Sequence, residues 1–201
     1  MPHIQARIEK VKLSRSQSPT PSVRDYANYP SLFTQDRQPE TDYIAIPEVS
    51  SERREYIPVG YINQNIIASN QLQIIRTPSM FILGLIMTRI YMAWMKTISG
   101  RLKSDYRHSP LVFYSFIWPQ VTDDQKSEVE HLAQNILDAR AQFPGSSLAD
   151  LYDPLTMPPA LSKTHKALDK YVDKLYQKSG FDNDAARVAH LFELYKKATH
   201  E

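Results

Sequence analysis

The 201 residues correspond to one large domain or two small ones, and a hydrophobic content of 42% is sufficient for a buried core. The sequence has no cysteine, which excludes a disulfide framework and a thiolate metal site and fits the reducing cytoplasm. Its net charge is only +2, but residues 1–122 carry 14 Lys and Arg against 9 Asp and Glu, whereas residues 123–201 carry 10 against 13. We expect such a basic excess in a segment that faces a polyanion.

The N-terminal residues predict little regular structure. Residues 4–13 alternate apolar and polar side chains, which favours an edge strand or the end of an element whose remainder is missing. Residues 14–22 are rich in Ser, Pro and Arg and are typical of a loop or of disorder. The first residues lack the apolar core of a signal peptide. Because this start is weak for an independent fold, we expect the sequence to be a piece of a longer chain.

Short β-rich runs separated by polar turns follow. They comprise residues 43–47, 56–62, 66–68 and 72–75, with a charged turn at residues 49–55. Residues 80–95 are apolar and predict one long buried helix that delivers Gly100 to the surface. This stretch is shorter than the roughly 20 apolar residues of a membrane helix, and it contains Arg89, so we expect no membrane association. Residues 111–119 predict a buried strand and turn.

The last third of the sequence predicts helices with short links. Thr122 and Gln125 have the spacing of a capping box, and Asp182 is the expected cap of the final helix. Between them we expect a short helix within residues 146–154 and a longer one that begins at Pro158 and Pro159.

These elements predict an α+β fold. A small twisted β-sheet packed on a long buried helix would occupy residues 1–122, and a C-terminal helical bundle would occupy residues 123–201. His165 falls on an apolar helix face with no neighbours that complete a ligand set, so we expect it to be structural.

The sequence offers no catalytic motif. It lacks a Gly-rich phosphate loop, a His-Glu-x-x-His motif and a Gly-rich strand-turn for S-adenosylmethionine, and residues 28–30 do not match the motif of amino-methyltransferases. The carboxylates of the last third are expected on solvated helix faces with Lys and Arg partners. We therefore predict that the chain has no catalytic site of its own.

The segment of residues 100–109 is short, basic and aromatic, and it contains one acidic residue. If it is extended, Lys103 and Asp105 project to the same side, with Ser104 between them. Lysine can donate to O6 and N7 of guanine and aspartate can accept from N4 of cytosine, so the pair could read one G·C base pair in the major groove. The flanking candidates for phosphate contacts are Arg101, Tyr106 and Arg107. The alternative is a solvated surface turn with an incidental ion pair.

Asn70 and Gln71 form a second candidate site in a turn between two β-rich runs. Their amides can pair with N6 and N7 of adenine. In a tight turn, however, Asn also satisfies its own backbone, so both interpretations remain open.

Several motifs occur together in one order along the chain. They are Ser51-Glu52-Arg53-Arg54-x-Tyr56-Ile57-Pro58, Gly100 to Arg107, Ser147 to Pro154, Met157-Pro158, Leu168-Asp169 and Leu191 to Tyr195. With them the chain resembles the C-terminal part of the large single-chain DNA methyltransferases of type IIL restriction–modification systems, the MmeI-like enzymes. In that family one polypeptide carries a nuclease domain, a helical spacer, an adenine-N6 methyltransferase domain, a target recognition domain and a C-terminal helical segment. This chain resembles the last two.

The resemblance implies that Lys103 and Asp105 are a paired specificity determinant for one base pair of an asymmetric site. Relatives with Glu and Arg at these positions would read the pair in the opposite orientation. The segment with Asn70 and Gln71 also resembles a base-reading segment, and Ser104, Arg53 and Arg54 complete the predicted DNA-binding residues. The chain departs from its relatives at three positions, where His108, Ile117 and Thr164 stand in place of Tyr, Pro and Ala.

The implied function is DNA sequence recognition for a site-specific adenine-N6 methyltransferase or restriction enzyme of the cytoplasm. Double-stranded DNA and the methyltransferase domain of the same polypeptide are the implied partners. S-adenosylmethionine, together with Mg²⁺ for a nuclease, would be bound by the parent chain, and no cofactor is expected in this part. The alternatives are a protein–protein docking module without base contacts and, with less support, a stand-alone enzyme.

Overall fold

The computed structural model describes residues 1–35 and 37–199. The chain divides into two compact units, residues 1–38 and residues 39–201. The first unit contains helices α1 (Pro2–Ser16) and α2 (Pro21–Arg24). The second unit contains six strands and seven helices among its described residues.

The strand predicted for residues 4–13 is wrong, because these residues belong to α1. Ile4, Ile8 and Val11 also have helical spacing, and Pro2 suits a first helical turn. The predicted loop at residues 14–22 is only partly correct, since α1 runs to Ser16 and α2 follows. The Arg15 guanidinium closes the unit by donating to three backbone carbonyls, those of Tyr26 at 3.2 Å, Tyr29 at 2.7 Å and Leu32 at 2.7 Å.

Two small antiparallel sheets replace the single predicted sheet. In the first, β1 (Tyr43–Pro47) lies between β3 (Gly60–Ile62) and β4 (Leu72–Ile75). In the second, β6 (Asp105–Arg107) lies between β2 (Val49–Ser50) and β5 (Gly100–Leu102).

The strand predictions are therefore partly confirmed. The runs at residues 43–47 and 72–75 form strands, whereas only the end of the run at residues 56–62 does so, after Pro58. Residues 66–68 form no strand. The predicted turn at residues 49–55 begins with β2, which pairs with the distant residues Tyr106 and Arg107.

The predicted long helix is interrupted. Helices α3 (Met80–Ile86) and α4 (Arg89–Ile98) meet at a bend of 63°. The break lies at Thr88, whose hydroxyl accepts a hydrogen bond from the backbone N–H of Tyr91 and so caps α4. The carboxylate of Asp169 accepts from the backbone N–H of Arg89 at 2.7 Å, which satisfies a further free donor of the same helix start.

In the described part of the chain no single helix has the length and apolar composition to cross a membrane, and only the bent pair α3 and α4 taken together reaches both. Most of their residues lie in the hydrophobic core.

The strand predicted for residues 111–119 is also wrong, because α5 (Pro110–Ser115) occupies most of that stretch. Pro110 stands at the first helical turn, where its fixed φ suits a helix. Val112 and Phe116, four residues apart, are buried, whereas Leu111 and Tyr114 are 63% and 81% exposed. The burial therefore follows a helical period in a segment whose aromatic composition favours a strand.

The helices of the last third are confirmed. They are α6 (Asp123–Ala141), α7 (Leu148–Leu151), α8 (Pro159–Tyr176) and α9 (Asp184–Thr199). The capping box is present, with Thr122 and Gln125 exchanging both hydrogen bonds. The cap of α9 is Asn183 rather than Asp182, since its Oδ1 accepts from the backbone N–H of Ala186 at 2.9 Å. These helices share one core with α3 and α4, so the boundary that we predict at residue 122 lies within the second unit.

Two carboxylates of α8 contradict the expectation of solvated faces. Asp169 and Asp173 are only 8% and 5% exposed. The hydroxyl of Tyr56 donates to Asp169 at 2.7 Å, and Arg187 donates to Asp173 at 2.6 Å. Burial raises the pKa of Asp169 to about 6. The two side chains thus join α8 to a loop and to α9 through buried polar contacts.

His165 is structural, as its position on the apolar face predicts. Its Nδ1 lies 3.1 Å from the carbonyl of Met87, which can only accept, so Nδ1 carries the proton. Its Nε2 accordingly accepts from the hydroxyl of Tyr152 at 2.7 Å, and Arg140 donates to that hydroxyl and to the carbonyl of Val59. Burial lowers the pKa of His165 to about 3. Among the described residues no group of three or more His, Cys, Asp or Glu could hold a metal ion.

Candidate nucleic-acid interface

The segment that carries Lys103 and Asp105 is the tip of a β-hairpin. Leu102 of β5 pairs with Asp105 of β6, so Lys103 and Ser104 form a two-residue turn. The extended conformation that we predicted for Lys103 is therefore wrong: its φ is 58°, in the left-handed region. Two-residue hairpin turns require this region because it matches the twist of the paired strands. Lys-Ser lacks the Asn-Gly signature of such turns, so sequence pattern alone does not indicate the hairpin.

The turn presents a donor that has no partner in the described residues and an acceptor that already accepts one hydrogen bond. Lys103 is exposed, and its ammonium has no hydrogen-bond or ion-pair partner among the described residues. Asp105 is half-buried, and its Oδ1 accepts a hydrogen bond from the backbone N–H of Glu52 at 3.3 Å. The structure shows no Lys103–Asp105 salt bridge in its described part, so the incidental ion pair of the alternative interpretation is absent. Both groups remain available to an external ligand.

Arg101 lies beside the turn and is engaged with the protein. Its Nη1 donates to the carbonyl of Ser104 at 2.8 Å and lies 3.4 Å from the Glu52 carboxylate. Its Nη2 donates to the hydroxyl of Tyr106 at 3.1 Å, and the guanidinium stands 4.3 Å from the centroid of the Tyr106 ring. Tyr106 is 9% exposed, and the ammonium of Lys96 lies 5.8 Å from the centroid of the same ring.

Glu48, which no sequence motif singled out, joins the hairpin to the turn that carries Asn70 and Gln71. Its carboxylate accepts from Nε of Arg107 at 2.8 Å, and its backbone N–H donates to the carbonyl of Gln71 at 2.9 Å. Asn70 and Gln71 are exposed, and their side-chain amides make no hydrogen bond to the described residues. The structure therefore brings both predicted base-reading segments to the same residue, Glu48.

The two remaining candidates lie in the turn at residues 51–54. Arg53 is exposed and stands 3.9 Å from Asp153, and Arg54 donates to the carbonyl of Ala149 at 3.5 Å. The same turn supplies Glu52 to the hairpin, so it contacts both the hairpin tip and the region of α7. A pairing across about fifty residues of sequence has no local signal, which is why Glu52 was missed.

His108 anchors the base of the hairpin. It is 1% exposed, its Nε2 lies 2.9 Å from the hydroxyl of Tyr91, and its Nδ1 lies 3.1 Å from Oε1 of Gln73. The amide nitrogen of Gln73 donates to the His108 carbonyl at 2.8 Å, which assigns Oε1 to the ring and makes Nδ1 the protonated nitrogen. Burial lowers the pKa of His108 to about 4.

The sequence of the chain matches two protein-family models. Residues 1–120 match the family model of the MmeI target recognition domain, and residues 121–201 match that of the MmeI C-terminal domain. The chain belongs to the MmeI family. It is similar to "DNA methyltransferase A" of Bacillus subtilis (strain 168), with 38% identity over 200 residues that make up 98% of this chain and 22% of the relative.

The chain is also similar to a solved member of the MmeI family. The structure of the type IIL restriction-modification enzyme MmeI in complex with DNA matches it with a TM-score of 0.89 and 43% identity. The match covers 100% of this chain and 27% of that one. The chain thus spans about a fifth to a quarter of the length of these relatives.

Proposed function

We propose that the chain selects the DNA sequence on which a methyltransferase of the same polypeptide acts. The observation that carries this proposal is the hairpin tip, where an unpaired ammonium and a carboxylate with one free oxygen stand two residues apart. The DNA complex of the similar MmeI enzyme supports it, as does the family of the chain.

The chemistry of the tip fits one G·C base pair. The ammonium of Lys103 can donate to O6 and N7 of guanine in the major groove. Because the Glu52 N–H occupies only Oδ1 of Asp105, Oδ2 can accept from N4 of cytosine. Such contacts provide about 1–3 kcal/mol of discrimination against the wrong base pair. Asn70 and Gln71, which Glu48 links to the hairpin, would read a neighbouring position through their free amides.

The other parts of the proposal concern the whole protein. The adenine-N6 methyltransferase domain would precede this chain and bind S-adenosylmethionine, and a nuclease domain would use Mg²⁺. This chain would contribute no catalytic group. A cytoplasmic location is consistent with DNA modification and with the absence of cysteine.

The decisive experiment exchanges the two readers in the intact protein, as Lys103→Glu with Asp105→Arg. Donor and acceptor then change places, so the preferred base pair at that position should invert from one orientation of G·C to the other. The readout is the sequence context of methylated adenines in cells that produce the protein. We also expect weaker binding, because an arginine at position 105 cannot accept from the Glu52 N–H.

The matched control exchanges another exposed lysine and aspartate, as Lys178→Glu with Asp182→Arg. It preserves the net charge and should leave the methylated sequence unchanged. An unchanged sequence after the hairpin exchange would contradict the proposal. An absence of salt-dependent DNA binding would instead favour a protein–protein docking module.

A further inference from the structure

This inference rests on the proposed function and concerns the role of Arg101. As a cation next to the hairpin tip, Arg101 has the chemistry of a phosphate ligand. Its two terminal nitrogens nevertheless face the protein, towards a carbonyl, a hydroxyl and a carboxylate. Its central carbon also lies over the Tyr106 ring, 4.3 Å from the ring centroid. The side chain is 47% exposed, yet these contacts use three of the five N–H donors of the guanidinium.

The acceptors of Arg101 are the structural supports of the turn. The Ser104 carbonyl belongs to the turn itself, and the buried ring of Tyr106 lies in β6, directly after Asp105. Glu52, the third acceptor, is also the residue whose backbone N–H holds Asp105. Arg101 thus connects both sides of the hairpin to the turn that orients the carboxylate.

The turn has a need for such support. Lys103 has a φ of 58°, a conformation that residues with a Cβ atom adopt only when their surroundings hold them there. The hydrogen bond from Arg101 to the Ser104 carbonyl fixes the peptide between Ser104 and Asp105, on the other side of the two-residue turn from Leu102. Base readout requires the reading groups to be held in place before DNA binds.

We propose that Arg101 is a positioning residue, which holds Lys103 and Asp105 in reading geometry through Ser104, Tyr106 and Glu52 and does not serve as a phosphate ligand. The test uses Arg101→Lys, which keeps the charge but has a single nitrogen and cannot reproduce the contacts that Nη1 and Nη2 make at once. A phosphate ligand would tolerate this change. A positioning residue would not.

Two quantities separate the roles in the intact protein. One is the ratio of affinities for a duplex with the preferred base pair and a duplex with that pair inverted. The other is the slope of the logarithm of the affinity against the logarithm of the salt concentration. We expect Arg101→Lys to lower the affinity ratio at least about fivefold, within the range that one base contact provides, and to leave the salt slope unchanged. Arg101→Gln should act in the same way. If Arg101 were a phosphate ligand, its loss would instead reduce the salt slope by about 0.9 and leave the affinity ratio unchanged.

Tyr106→Phe provides an independent measurement that changes no charge. It removes only the hydroxyl that accepts from Arg101, so it should also lower the affinity ratio, and the fold should persist because the ring remains. The control is Lys196→Gln on the exposed end of α9, which should change neither quantity. An affinity ratio that stays intact in both Arg101→Lys and Tyr106→Phe would overturn the positioning role.

The two proposals fail in different ways. If the exchange of Lys103 and Asp105 leaves the base preference unchanged, the reading function and the positioning role both fall. If that exchange inverts the preference while the Arg101 and Tyr106 variants discriminate normally, only the positioning role falls.

Discussion

The hydroxyl of Tyr91 donates to Nε2 of His108 across 2.9 Å in the core, at the base of the hairpin formed by β5 and β6. The imidazole is neutral in this arrangement, because Nδ1 donates to Gln73 while Nε2 accepts. A second proton on the ring would force the Tyr91 hydroxyl to turn from donor to acceptor and would place a positive charge in the core. The base of the hairpin is therefore sensitive to acid.

The first prediction follows from the lowered pKa of His108, about 4 against an ordinary value of 6.5. Between these values the unfolded chain binds a proton that the folded chain does not, so the free energy of unfolding falls as the pH falls from 6.5 towards 4. The contribution of this residue is about 3 kcal/mol over that range. His108→Gln, which retains a donor and an acceptor, should remove this part of the pH dependence in urea titrations at several pH values. A pH profile identical to that of the unmodified chain would refute it.

Asp169 should change the free energy of unfolding with pH in the opposite direction to His108. Burial raises the pKa of this carboxyl from 3.8 to about 6, so between these values the folded chain holds a proton that the unfolded chain has lost. Its contribution to stability is complete below about pH 4 and is lost as the pH rises through 6. Asp169→Asn should therefore gain about 2–3 kcal/mol relative to the unmodified chain between pH 4 and pH 7. Parallel denaturation curves at the two pH values measure this difference, and an equal effect at both would show that the carboxyl does not titrate in this range.

Gly84 should be intolerant of a side chain. A Cβ atom there would lie 2.8 Å from Cγ1 of Val129 and 3.2 Å from Cβ of Ala133, where α3 packs on α6. Gly84→Ala should destabilise the fold by about 1–3 kcal/mol through overpacking, reduced by the better helix propensity of alanine. Gly145→Ala is the control, because a Cβ atom at that position meets nothing within 4 Å. Thermal unfolding of Gly84→Ala and Gly145→Ala tests this prediction, and equal stability of the two variants would contradict it.

Glu48 should restrain Arg107. Its carboxylate neutralises the guanidinium at the protein surface, where the pair itself adds at most about 1 kcal/mol to stability. Glu48→Gln should release Arg107 to DNA phosphates and steepen the salt dependence of binding by about 0.9 in slope. The binding isotherms of the intact protein at several salt concentrations give this value. Glu128→Gln on the exposed face of α6 removes the same charge elsewhere and should leave the slope unchanged.

The sequence predicts those parts of the fold whose causes are local. The capping box joins Thr122 and Gln125, which lie within one helical turn of each other. Strand β1 consists of a short β-branched and aromatic run. The break between α3 and α4 was not predicted, because part of its support comes from Asp169, eighty residues further along the chain. The composition of α5 favours a strand, and only the burial pattern of the folded chain reveals the helix.

The candidate site shows the same division. The spacing of Lys103 and Asp105 is visible in the sequence, and the chemistry of the two groups follows from their types. The left-handed turn depends on strand pairing, and the support from Glu48 and Glu52 depends on contacts across 59 and 53 residues of sequence. The family resemblance points to Lys103 and Asp105 as candidate readers, but it does not show which residues hold them in place.

The dependence of the hairpin on residues 48–52 has a consequence for engineering new specificities. A transfer of residues 100–107 to a relative would take Arg107 away from the Glu48 carboxylate and Arg101 away from the Glu52 carboxylate. The transferable cassette is therefore discontinuous and comprises both stretches. A chimera that carries only the hairpin would receive Lys103 and Asp105 without the side chains of residues 48 and 52 that contact the hairpin.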